Sequence, residues 1–132
     1  PGLIAKISAS DSQNEIHLNI ADALNEYSQK KAIETSLNDS GLWEKFLQDL
    51  KNKKQELVPT AQMLMSIRQY EKYISLGFKL SMPAVESFLS RDNYEMARLV
   101  IKNDVIGREI SPKAEMLIKG NTQLSKILLE LS

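Results

Sequence analysis

Apolar residues recur along this chain at i, i+3, i+4 and i+7, the spacing that places them on one face of an α-helix. Four stretches carry this stripe. The first is Trp43, Phe46, Leu47 and Leu50, and the second is Tyr70, Tyr73, Ile74 and Gly77. The third is Tyr94, Ala97 and Ile101, interrupted by Arg98, and the fourth is Leu124, Ile127, Leu128 and Leu131. Their leading residues stand 27, 24 and 30 residues apart. That is a ragged period near 30, within the roughly 20–50 residues that mark helical repeats. A shorter apolar stretch precedes each stripe: Ala32-Ile33 with Leu37, Met63-Leu64 with Ile67, Val85 with Phe88-Leu89, and Met116-Leu117. The expected turns between them are Asn38-Asp39-Ser40, Arg68-Gln69, Ser90-Arg91-Asp92 and Gly120-Asn121. The pattern predicts successive helix pairs, each burying its stripe against the next. Strand-like alternation is confined to Ile16, Leu18 and Ile20.

Start signals support this division. Ser111 stands directly before Pro112, an N-cap followed by a proline at the first helical position. Asp92 has Glu95 three residues later, and Ser12 has Glu15, both capping-box spacings. The five glycines and four prolines fall between the periodic segments. Residues 1–30 fit the repeat less well and carry Ile16, Ile20, Ala23, Leu24 and Tyr27. They are expected to form an N-terminal capping helical segment, with the repeats in residues 31–132.

The stretch Ser111 to Glu130 resembles one ankyrin repeat. It has the Ser-Pro opening, the Gly120-Asn121 turn and a second helix ending Ile127-Leu128-Leu129-Glu130. Pro83 to Asp104 resembles the same unit, with Asp92-Asn93 at its turn. Gln69 to Phe78 resembles the end of another, closed by Leu76-Gly77, and residues 31–50 resemble a fourth. The Thr-Pro-Leu-His tetrapeptide and the Gly-Ala-Asp finger loop are missing, so the helix pairs match better than the fingers. The resemblance implies an all-α fold of three to four degenerate helix-turn-helix repeats, an ankyrin-like solenoid with an N-terminal helical cap. The alternative is an irregular helical bundle. Arrays of this kind are similar to those in bacterial effectors and viral host-range proteins.

Composition narrows the chemistry. The 132 residues are 42% hydrophobic and 26% charged, which is globular composition. Seventeen basic and seventeen acidic residues cancel, so the footprint of a nucleic-acid binder is missing. No apolar run is long enough to span a membrane. The absence of Cys removes disulfides, thiolate metal sites and a thiol nucleophile, and matches a soluble protein in a reducing, cytoplasm-like environment. If the chain belongs to a secreted effector, that environment is the host cytosol. The Pro1-Gly2-Leu3 start has no initiator Met and no signal-peptide pattern, and reads as a piece of a longer chain.

Catalytic groups do not converge. His17 is the lone histidine and reads as a surface residue. The carboxylates Glu44, Asp49, Glu56, Glu71, Glu86, Glu95, Glu115 and Glu130 are scattered along helix faces and starts. Lys51, Lys53 and Lys54 sit where a helix C-terminus favours cations. No Gly-rich phosphate loop is present, and no cofactor, metal or small-molecule substrate is expected. The expected role is a protein–protein interaction module acting as a monomer, the target-recognition domain of a larger protein. The alternatives are an accessory helical lobe of a catalytic domain elsewhere in the full-length chain, or a self-assembly or chaperone-like domain. Phe78 is expected to be exposed in the loop after Gly77 and is the leading partner-binding candidate. Tyr70, Tyr94, Trp43 and Met82 follow it, because aromatics and methionines are enriched at interfaces.

Overall fold

Polar residues that interrupt the stripes act as helix starts, and they set the order of the fold. The computed structural model describes residues 22–132, and every regular element among them is helical. The expected helix start at Ser12 and Glu15, the Ile16–Leu18–Ile20 alternation and His17 lie outside the described residues. Helix α1 covers residues 22–35. It is followed by α2 (Ser40–Asn52), α3 (Pro59–Gln62), α4 (Ile67–Ser75) and α5 (Met82–Leu89). Then come α6 (Tyr94–Val100), which continues into a π-helical turn over Ile101–Val105, α7 (Pro112–Lys119) and α8 (Thr122–Leu131). No helix among the described residues is long and apolar enough to cross a membrane.

Two kinds of start alternate. Helices α3, α5 and α7 open on Pro59, Pro83 and Pro112 at the first or second position. Proline has the φ of a first turn, and the N–H it lacks would be unpaired there. Helices α2, α4, α6 and α8 are capped by side chains. Asp39 accepts from Leu42 N–H, Ser66 from Gln69 N–H, Asn93 from Met96 N–H, and Asn121 from Gln123 and Leu124 N–H. Gln69 returns a bond to Ser66 N–H, which closes a capping box. These caps lie at 39, 66, 93 and 121, intervals of 27, 27 and 28 residues. Measured by its caps, the chain is far more regular than its apolar stripes suggest.

The caps correct several boundaries. Asn93, not Asp92, caps α6, because Asn93 has the non-helical backbone and its Oδ1 lies 3.2 Å from Met96 N. Arg68 and Gln69 lie inside α4, not in a turn, because Ser66 starts that helix. Met63 and Leu64 follow α3, a single turn ending at Gln62. Tyr94 is the first residue of α6, whereas Trp43, Tyr70 and Ala97 each lie four residues past their caps. The position between residues 30 and 31 falls inside α1, which runs through it unbroken.

Packing follows the alternation. Helix α3 packs on α5 and α5 on α7, while α2 packs on α4 and α6 on α8. Trp43, Leu47, Tyr70, Tyr73, Leu80, Phe88 and Ile101 are all fully enclosed in the shared core. Three buried glutamines tie it together. Gln29 accepts from Val58 N–H at 2.7 Å, and Gln69 donates to Ile33 O at 2.9 Å. Gln62 donates to Leu57 O and the Tyr73 hydroxyl, and accepts from Ser81 N–H and Oγ. Each amide serves loop or helix-end groups of a neighbouring segment that would otherwise be buried without a partner.

Candidate partner-binding surface

The expected contact residues are mostly internal struts. Trp43 donates from Nε1 to Gln69 O at 2.9 Å, joining α2 to α4. The Tyr70 hydroxyl donates to the Asp104 carboxylate at 2.6 Å, joining α4 to the π-turn. Burial and the adjacent Asp104 charge push Tyr70 ionisation far above the usual tyrosine range. Burial likewise raises Tyr73, against the opposing hydrogen bonds from Gln62 and Leu57. Tyr94 is half-buried, and its hydroxyl accepts from Asn121 Nδ2 at 3.4 Å. Met82 is half-buried against the core.

Phe78 is buried, not exposed; only 7% of its surface meets solvent. The reason lies at Gly77, whose φ of 95° turns the chain back as α4 ends. Gly77 N–H donates to Ile74 O and Phe78 N–H to Tyr73 O, the two bonds of a Schellman motif. That turn delivers Phe78 onto Tyr73, with ring centroids 4.5 Å apart and planes nearly parallel. The five expected residues therefore do not form one surface.

The open surface is at the N-terminal end of the described fold. A groove of about 940 Å3 runs between α1 and α2, lined by Tyr27, Ala32, Leu42 and Phe46, with Lys31, Lys45 and Asp49 among its polar residues. Tyr27 is 65% exposed and Leu42 is 42% exposed. Leu42 lies three residues past its cap. The residues three past the other caps are Gln69, Met96 and Leu124, and all three are buried. Gln69 shows what that position faces, because its amide bonds to Ile33 and Ser36 near the end of α1. Position three thus looks toward the preceding helix pair, and in α2 it looks into the groove.

The opposite end is also open. Eight residues past the caps lie Leu47, Ile74, Ile101 and Leu129. Leu47 and Ile101 are fully buried, Ile74 is half-buried, and Leu129 is 79% exposed. Met116 on α7 is exposed as well. No protein-family model matches this chain, and neither does any curated protein or solved structure.

No single-residue signal in the sequence marks the groove. Tyr27 and Leu42 read as ordinary stripe residues, and only comparison from cap to cap separates Leu42 from its buried equivalents.

Proposed function

We propose that this domain is a protein-binding module, built as an ankyrin-like array of helix pairs, and that it docks its partner on the groove between α1 and α2. One observation carries this reading: the residue three past the cap is buried in α4, α6 and α8 but open in α2. An apolar groove of this size, rimmed by polar side chains, has the make-up of an interface core. The array reading draws on the 27-residue cap period and on the packing of Pro-led helices on Pro-led helices. Attached to a larger effector-type protein, such a module would bring an activity to its target.

The test is a quantitative pull-down that compares the wild-type domain with Leu42→Asp and Tyr27→Asp, and with Leu129→Asp as a control at the other end. Both groove variants change exposed residues, so folding is preserved and circular dichroism checks it. The expected result is loss of the captured protein from both groove variants and its retention by Leu129→Asp. Equal capture by all four proteins overturns the groove as the binding surface.

A further inference from the structure

We infer that the occupant of the α1–α2 groove is an amphipathic helix that carries a carboxylate beside its apolar stripe. This rests on the binding reading above and adds the chemistry of the partner.

The chain itself shows what a helix like α2 packs against. In α4, Lys72 lies six residues past the cap and pairs with Glu44 on α2 at 3.6 Å. In α2, the residue six past the cap is Lys45. Lys45 is exposed, lines the groove and has no carboxylate partner among the described residues. Its counterpart therefore meets a glutamate, on a helix whose apolar residues Trp43 and Leu47 flank that glutamate. The same arrangement presented to the groove is an apolar residue at i, a carboxylate at i+1 and a second apolar residue at i+4. Helix periodicity keeps the three on one side.

The rest of the rim has the same sign. Lys31 faces the groove and is held only by Glu34 at 3.9 Å. The acid in the lining, Asp49, is neutralised by Lys53 at 3.0 Å. The groove therefore presents two lysines beside an apolar wall, and an acidic helix complements it in both respects.

Charge also argues against a second copy of this chain. The equivalent of Glu44 at the far end, five residues past the α8 cap, is Lys126. A copy stacked end to end in the chain's own register would set Lys126 against Lys45.

The test uses the full 132-residue chain, 15N-labelled, with synthetic helical peptides of about 18 residues, long enough for an isolated helix to form. One peptide carries Leu at i, i+4, i+7 and i+11 with Glu at i+1, and its twin has Lys in place of the Glu. The acidic peptide is expected to saturate, with shifts concentrated at Tyr27, Leu42, Lys45 and Phe46. The basic twin is expected to bind about three- to tenfold more weakly, the scale of turning a surface attraction into a repulsion. Lys45→Glu is expected to reverse that order, and added salt to shrink the difference.

Equal binding of the two peptides overturns the carboxylate assignment and leaves the groove standing. Absence of saturation by either peptide, alongside groove-dependent capture in the pull-down, overturns the helix assignment alone. Light scattering that gives a dimer with these residues protected makes a second copy the occupant and overturns the inference. Nuclear Overhauser contacts from Tyr27 and Leu42 to residues 1–21 in the free chain make that segment the occupant, with the same consequence.

Discussion

The hydroxyl of Tyr70 donates a 2.6 Å hydrogen bond to the carboxylate of Asp104, 34 residues away in sequence and fully buried. Asp104 also accepts from Leu80 N–H at 3.0 Å and from Arg108 Nη1 at 3.2 Å. One carboxylate thus fixes α4, the loop before α5 and the π-turn together. Its three donors offset the cost of removing the charge from water.

Asp104→Ala is expected to destabilise the fold by roughly 3 kcal/mol, because it leaves two buried donors unpaired. Tyr70→Phe removes one donor and keeps the ring, and is expected to cost about 2 kcal/mol, the range for a bond to a charged group. Urea denaturation of both variants and of the double variant should show strong non-additivity. A loss below about 1 kcal/mol for Asp104→Ala would show that the network contributes little.

Alkaline pH should weaken the fold. Tyr70 and Tyr73 are held above their ordinary pKa of 10.0 by burial. Above that pH the unfolded chain releases protons that the folded chain keeps, so the folded state binds more protons and stability falls as pH rises. Below pH 10 the contribution is fully present. Urea midpoints at about pH 8 and about pH 11 test this, since the unfolded chain titrates between them. The Tyr70→Phe variant should lose less over that interval than the wild type. Equal losses would sink the assignment.

Phe78→Ala is expected to destabilise by about 3 kcal/mol or more, the cost of emptying a buried aromatic site. Gly77→Ala meets no neighbouring atom within 4 Å, so its cost is the left-handed backbone alone. That is about 1–2 kcal/mol. Thermal melts of the two variants separate packing from backbone. A Phe78→Ala variant as stable as wild type would place the ring in solvent after all.

Two leucines at equivalent positions should respond very differently. Leu47→Ala removes a fully buried side chain and is expected to cost about 2–5 kcal/mol. Leu129→Ala changes a side chain that is 79% exposed. Such a surface change is expected to stay within about 0.5 kcal/mol. Similar losses from both would mean that the cap-based register is wrong.

The helical nature of the chain was legible, because stripes such as Trp43–Phe46–Leu47–Leu50 and the Ser111-Pro112 start are local signals. Boundaries were less so. Asp92 and Asn93 are adjacent and both able to cap, and only the backbone of the fold selects Asn93. Phe78 was misread because an aromatic after a glycine looks like a loop residue, whereas the Gly77 turn returns it to the core. The buried glutamines were invisible for a different reason. A glutamine is polar in any pattern, and only its partners in other segments make Gln29, Gln62 and Gln69 internal. The groove follows from which equivalent positions lack a neighbour, a property that no short stretch of sequence contains.

The π-turn has a consequence for the length of the chain. Ile106 N–H bonds to Ile101 O, five residues back, so this turn holds one residue more than an α-helical turn. The cap interval that contains it is 28 residues, where the two before it are 27. The surplus residue is absorbed in a local swelling of one helix and is not passed on. Asn121 still falls where the next cap is needed, and Leu124 is buried like Met96 and Gln69 before it. A one-residue length error is thus cancelled within a single module, and the far end of the chain keeps the phase of the near end.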